Sequence, residues 1–324
     1  MNSISTGASN RRGFDLKNFA ANNGALIGLI VLAVIMAIAS PAFLSGQNLI
    51  NIGEQVATIA ILAFGMTFVI VAAGIDLSVG SVAALSAMAS ASMVANWGLP
   101  DMLTIVLGLA VGAVTGAVTG IAAAYGKLPA FIASLAMMSV ARGLTMVISD
   151  GRPVEAPRQM AVLGGELGGI PVPIVVLIIA GLIATFILRF TVAGAYMYAV
   201  GGNIEAARLS GIPVKRIVVF VFVLSGAFAG LAGMVTAGRL DSVQPTIGTG
   251  AELDAIAAVV IGGASLSGGV GRISGTLVGA LVLAVIRNGL NLLNVSPFWQ
   301  QVVIGVVIAI AVLFDVIRRK NARL

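Results

Sequence analysis

Charge is scarce in this sequence, and the few charges that interrupt apolar runs mark the positions able to do chemistry. Asp76 lies in Gly74-Ile75-Asp76-Leu77-Ser78-Val79-Gly80-Ser81, between two long apolar stretches. A carboxylate and two glycines break a helix there. Irregular backbone at membrane depth is tolerated only where protein buries it or where it lines a wet cavity. Two readings stay open: a broken helix beside a path for polar solutes, or a tight turn at the membrane edge with Asp76 or Ser78 capping the next helix. Arg142 sits in the middle of another apolar run. An intramembrane charge is costly and faces a partner or a cavity, and Asp76 is the carboxylate expected at its depth. Their pairing is either structural or a shared solute contact. Arg287, Asn291 and Asn294 recur at i, i+4 and i+7, with Asn288 beside them, as one polar stripe on a helix. Asparagine offers donors and an acceptor. The stripe therefore suits hydroxyl-rich solutes near the outer mouth of a path, or equally hydrogen bonds between helices.

A second polar stretch runs from Gly201 to Pro213. Asn203 suits an N-cap, and Glu205 suits the first turn, where the backbone dipole is positive. Gly211 can take the left-handed conformation past the end, and Pro213 forbids continuation. The spacing predicts a helix of about two turns between two apolar segments. So short a helix is marginal alone in water, so it needs a surface to pack on, in this chain or another.

These elements sit in a chain of 324 residues that is 59% hydrophobic and only 9% charged, with 41 glycines. Ordinary soluble domains are about 25% charged. The composition describes an all-α polytopic membrane protein, and glycine at this frequency fits close helix packing in lipid. There is no cysteine and no histidine, which excludes disulfides, thiolate metal sites and the commonest proton relay and metal ligand. No metal site and no cofactor is expected. The apolar runs fall at 24–44, 53–73, 79–97, 102–124, 130–149, 171–189, 216–236, 254–264, 273–294 and 299–317. That makes about ten spans, the eighth too short to cross alone and therefore a half-span or longer than its apolar core.

Threading the runs from an inside N-terminus tests the count by the bias of Lys and Arg to the cytoplasmic side. Of the 18 Lys and Arg residues, only Arg152, Arg158 and Arg239 fall in loops on the outside, with Arg142 and Arg287 inside spans. The acidic Glu54, Asp101, Asp150, Glu155, Glu166, Asp241, Glu252 and Asp254 collect outside. The expected organisation is a cytoplasmic tail 1–23, one transmembrane domain 24–317 with a cytoplasmic loop 190–215, and a cytoplasmic tail 318–324. Ala37-Ile38-Ala39 is a faint cleavage signal, but the polar leader and the spans that follow at once favour an uncleaved first helix. The net charge of +6 belongs to this sidedness and predicts no nucleic-acid partner. The outer loop 237–253, with Arg239, Asp241 and Gln244, is either a partner-facing surface or a plain loop.

The chain does not bind ATP by a phosphate-binding loop. The only Gly-Lys, at 126–127, lacks the leading glycine and the following Ser or Thr of a phosphate-binding loop. No nucleophile–base set is present without histidine. Repeated mid-span carboxylates, a mark of ion-driven carriers, are missing as well. Gly263-Ala264-Ser265-Leu266-Ser267-Gly268-Gly269 echoes the stretch around Asp76, a weak sign of the internal repeats common in transporters.

From about residue 24 onward the chain resembles the membrane permeases of bacterial ABC importers for monosaccharides, the ribose type above all. The most specific pieces are Ala73 to Ser81, Gly201-Gly202-Asn203 with Ala207 to Ile212, Gln244-Pro245-Thr246 with Glu252 to Val260, and Asn288 to Leu293. Arg287 stands where ribose-type members carry Asn. The resemblance implies the ABC importer permease fold, with about ten transmembrane helices including broken and half helices, in the bacterial inner membrane. It implies a homodimer of permeases, a pair of cytoplasmic ATP-binding subunits, a periplasmic sugar-binding protein and a monosaccharide substrate. Asn203, Glu205, Ala206, Ala207, Arg208 and Gly211 are then expected to dock on the ATPase. Asp76, Ser78 and Arg142 would shape the core, and Asn288, Asn291 and Asn294 would line or brace the pathway. Arg239, Asp241 and Gln244 would meet the binding protein. The chain is expected to have no catalytic residue of its own. Another sugar, a furanosyl signal or a branched-chain amino acid is an alternative cargo, and a secondary carrier an alternative class.

Overall fold

A long apolar run has one stable outcome in a single pass through a bilayer, a helix whose backbone hydrogen bonds close within the segment. The computed structural model describes residues 24–322, with side chains to 313. The expected tail 1–23 and residues 323–324 lie outside the described residues. Thirteen α-helices follow in order: α1 (Gly24–Ala39), α2 (Gly46–Val71), α3 (Val79–Trp97), α4 (Thr104–Ala124), α5 (Ala130–Ser149), α6 (Arg158–Gly164), α7 (Val172–Phe190), α8 (Val192–Gly202), α9 (Ile204–Leu209), α10 (Val214–Arg239), α11 (Ala251–Ile261), α12 (Ile273–Leu292) and α13 (Pro297–Ala322). Seven of them, α2 to α5, α7, α10 and α12, are long and apolar enough to cross a membrane, whereas α1 and the apolar part of α13, Pro297–Leu313, are shorter. Each of the ten expected runs contains a helix.

The differences from expectation have local causes. α2 begins at Gly46 rather than 53 because Ser45 caps it, its hydroxyl accepting from the Asn48 amide at 3.4 Å. The eighth run is a true half-helix, α11, of 11 residues. The 190–215 loop holds a further helix, α8, which the sequence did not announce. Thr191 ends α7 in an extended conformation and caps α8 by accepting from the Gly194 amide at 3.1 Å. The two long loops 150–170 and 237–253 are not independent. Val154 pairs with Val243 and Glu155 with Ser242 in a short antiparallel ladder.

α2, α3, α10 and α12 are more than half buried and form the centre, while α4, α5 and α7 leave most of their surface open. In lipid, helices associate by close packing and hydrogen bonds, and both are present. α4 turns Gly108, Gly112, Gly116 and Gly120 toward α10, where an added Cβ at Gly112 would strike the Gly226 carbonyl and one at Gly116 the Phe222 carbonyl. α2 is tied to α12 by Thr67 against Thr276 at 2.8 Å, and by Asn48 and Asn288, each side-chain amide donating to the other's oxygen at 3.0 and 2.7 Å. Successive crossings alternate in direction. The end of α2, the α4–α5 turn, α9 and the α11–α12 loop therefore share one face, called here the α9 face.

Candidate functional site

α2 stops at the α9 face, but the chain does not stay there. Ala72 and Ala73 close the last turn, Ala73 at φ 61°, and the Gly74 amide donates to the Val69 carbonyl at 2.8 Å. Residues 74–78 then climb back into the protein. Asp76 is 1% exposed. Its Oδ1 accepts from the Ser78 amide at 2.9 Å and the Ser78 hydroxyl at 2.6 Å, and its Oδ2 accepts from the Ser225 hydroxyl at 2.7 Å. Ser225 stands about 16 Å along α10 from Val214 at 1.5 Å per residue, so the carboxylate lies near mid-depth. α5 holds the other side of the break: the Leu77 amide donates to the Ser134 hydroxyl at 3.1 Å, and that hydroxyl also reaches the Ile75 carbonyl at 3.3 Å. The chain is interrupted inside the protein between α2 and α3, and Asp76 bonds the Ser78 amide as a cap would, with three donors compensating a buried carboxylate.

A second re-entrant segment meets the first. After α10 the chain turns at Leu240 and descends through 244–250 to α11, and Gly248 lies so close to Gly80 that a Cβ on either would overlap the other's backbone. The N-termini of α3 and α11 thus converge inside the protein. Arg142 does not pair with Asp76. Its Nη1 donates to the carbonyls of Pro245 at 2.7 Å and Ile247 at 3.0 Å. The physical reason is that a descending loop leaves carbonyls without helical partners, and a guanidinium satisfies two of them at once. Arg142, Ser81, Ser139, Thr249 and Glu252 line a cavity of about 350 Å³.

The polar stripe on α12 is divided. Arg287 Nη2 grips both carboxylate oxygens of Asp254, at 2.7 and 2.6 Å. Asp254 was expected in an outer loop but sits in α11, 7% exposed. Asn288 is taken by Asn48, which is the interhelical role. Asn291 is exposed, and Asn294 lies past the helix end at φ 56°, so the i+7 register does not reach it. Arg239 closes α10 and pairs with Glu54 of α2 at 3.0 Å. Asp241 and Gln244 are exposed beside it.

α9 forms as its caps dictate. The Asn203 side chain accepts from the Glu205 and Ala206 amides, both at 3.0 Å, and Gly211 takes φ 81°. Glu205 and Arg208 pair at 2.8 Å on the surface. Of its six residues only Ala207 is buried, and Ile204 and Leu209 are 52% and 82% exposed. Its base is anchored by backbone. The Gly269 amide donates to the Val71 carbonyl at 2.9 Å, and Gly201 is pressed against both of those residues. Tyr198 donates to the Gly271 carbonyl at 2.7 Å. The base of α9, the end of α2 and the α11–α12 loop are thus one contact, beside a cavity of about 570 Å³ at this face lined by Ala72, Gly74, Asn203, Glu205 and Phe222.

The sequence reading missed Ser134, Ser225, Glu54 and Glu252. Lone serines in apolar helices carry no distinguishing signal. Glu252, two residues after Gly250 and just ahead of an apolar run, is a readable helix start.

A helical bundle with two re-entrant polar segments meeting at mid-depth, and a capped helix presented outside it, is the build of a membrane transport subunit. Residues 48–312 match the family model described as branched-chain amino acid transport system / permease component, and the chain belongs to that family. It is 48% identical to the ribose import permease protein of Escherichia coli K12 over 95% of this chain and 97% of that one. It is 48% identical to that of Bacillus subtilis over 92% and 93%, and 47% identical to that of Haemophilus influenzae over 93% and 95%. No solved structure matches it.

Proposed function

We propose that this chain is the membrane-spanning permease subunit of an ATP-dependent monosaccharide importer, with ribose as its cargo. The observation that carries this is the near-half identity to ribose import permeases along almost the whole chain. The subunit is a multi-pass protein of the inner membrane whose α9 face is cytoplasmic, with a single transmembrane domain between cytoplasmic termini. α9 docks on a partner ATPase. Its exposed Ile204 and Leu209 want an apolar groove, and Asn203, Glu205, Ala206, Arg208 and Gly211 shape the helix that enters it. Ala207 faces inward and seats α9 on its own chain. Motion of α9 reaches α2 and the break at Asp76 and Ser78 through Gly201, Val71 and Gly269.

A second copy completes the pathway. The cavity holding Arg142 and Glu252 opens at the surface of one chain, where Ser139 and Gly143 are exposed, and charges at this depth are not left to lipid. Asp241 and Gln244 present the opposite face to a secreted sugar-binding protein, Arg239 bracing that corner through Glu54. Asn291 and Asn294 lie near the same mouth, with Asn288 as a brace.

The test is uptake of labelled ribose by cells lacking their own ribose importer and expressing this chain with its neighbouring ATPase and binding protein. Uptake is expected and should vanish without the ATPase. Uptake that survives loss of the ATPase makes the chain a secondary carrier.

A further inference from the structure

Arg142 and Glu252 line the same cavity, yet they form no ion pair with each other, and Glu252 has neither a hydrogen bond nor an ion pair with any described residue. The guanidinium uses Nη1 on the two loop carbonyls, which fixes its plane and leaves its remaining N–H groups without partners among the described residues. Ser81, in the first turn of α3, is 3% exposed and lines the cavity. Arg142 and Glu252 are half-buried. A donor fork, an acceptor pair and a hydroxyl held apart around one space amount to hydrogen-bonding capacity open to a solute. The volume of about 350 Å³ lies within the roughly 300–1,000 Å³ range of small-molecule sites.

We propose that this cavity is a hydroxyl-recognition subsite, in which Arg142 donates to and Glu252 accepts from adjacent hydroxyls of a neutral sugar in transit, with Ser81 and Thr249 completing the contacts. The inference rests on the importer reading above and deepens it by assigning a site within the permease itself. Its chemistry follows from the charges. The two opposite charges suit a net-neutral solute, since an anion would meet Glu252 and a cation would meet Arg142. The planar fork and the carboxylate each engage two groups at once. Three hydroxyl side chains, Ser81, Ser139 and Thr249, favour a polyol over a solute with an apolar tail, Ser139 and Thr249 as acceptors since they donate to the Leu135 and Thr246 carbonyls. The site is built from α3, α5 and the start of α11, so it is remade whenever those elements shift against one another. That dependence allows weak, state-dependent binding, which a translocation path needs.

Glu252→Gln is the informative variant, because the carboxylate has no hydrogen-bond or ion-pair partner among the described residues to lose and Gln keeps its packing against Gly80. Arg142 variants would also release the 245–247 loop. In cells carrying the full importer, Glu252→Gln and Ser81→Ala should each lower the maximal rate of ribose uptake at least tenfold, with the half-saturating concentration unchanged and membrane levels normal. In nanodiscs containing the permease alone, saturation-transfer NMR with D-ribose as probe should give a signal that Glu252→Gln removes. Wild-type rates and an undiminished NMR signal in both variants would overturn the site while leaving the importer reading intact. Absence of ribose uptake by the wild-type importer would remove the reading itself. A signal from L-leucine that depends on Glu252, with none from ribose, overturns the sugar assignment in favour of a zwitterion held between the same two charges.

Discussion

Several buried polar side chains in this protein are compensated by named partners, and those partners decide what each substitution costs, whereas Thr58, Ser86, Ser92 and Arg287 Nε have none among the described residues. Asp76 takes three donors from Ser78 and Ser225. Removing the Ser225 hydroxyl strips Oδ2 of its partner, and leaving a buried charged acceptor short costs about 1–3 kcal/mol. Ser225→Ala should therefore lower the melting temperature of the purified permease, and Ser225→Thr should restore part of the loss. The Arg287–Asp254 pair predicts an effect of similar size. Arg287→Met leaves a largely buried carboxylate uncompensated, at roughly 1–3 kcal/mol because the Arg287 side chain is 38% exposed and the pair is partly screened, whereas Arg287→Met combined with Asp254→Leu should recover most of that in thermal unfolding. Asp76 and Arg142 share no partner, so conservative changes at the two, Asp76→Asn and Arg142→Lys, should add within about 0.5 kcal/mol in a double-mutant cycle. Coupling well beyond that would contradict the separate roles seen here. These partnerships were largely illegible beforehand. A charge in an apolar run announces that it needs compensation, but several polar groups can supply it. Arg142 found backbone carbonyls and Arg287 found a carboxylate expected in a loop.

Helices behave more predictably, because caps and breakers act over a few residues. α9 was readable down to its N-cap, its first-turn Glu205 and the left-handed Gly211, since each is a local requirement. Asn203→Ala should cost about 1 kcal/mol of local stability, and Gly211→Ala about 1–2 kcal/mol for a left-handed alanine. Replacement of Glu205 or Gly211 should abolish substrate-stimulated ATPase of the assembled importer while leaving membrane insertion normal, as measured by phosphate release and membrane fractionation. Normal stimulation in both variants would remove the docking role. α8 shows the limit of local reading. It is an apolar helix of 11 residues that continues α7 after a one-residue break at Thr191, and composition alone does not separate it from the loop around it. The α4–α10 contact is likewise a tertiary fact. The glycine spacing in α4 is visible, but which helix receives it is not.

At the scale of the whole molecule, the absence of cysteine makes sidedness and assembly measurable by introducing single thiols. Leu209→Cys should react with an impermeant maleimide only from the cytoplasmic side, and Gln244→Cys only from the outside. Labelling of both from one side contradicts alternating crossings. A second copy packed over the α5 cavity predicts protection of Ser139→Cys from labelling in membranes, lost when the assembly is dissociated in detergent.

Composition, periodicity and charge bias determined that this is a helical membrane protein of about ten apolar segments, with an interruption at Asp76 and a short capped helix at 203–211. Those features follow from transfer into lipid and from hydrogen bonds between near neighbours, and both are properties of short stretches. Only the tertiary structure decided that the 244–250 loop descends to meet Gly80, that Arg142 holds that loop, and that Glu252 lies beside it without a partner among the described residues. Such contacts join residues more than a hundred positions apart. They depend on which backbones approach closely enough for glycine to be required on both sides, as at Gly80 and Gly248. The break at Asp76 was visible as an interruption in a helix. Its place in a junction of two re-entrant segments became visible only once α5, α10 and α11 were packed around it.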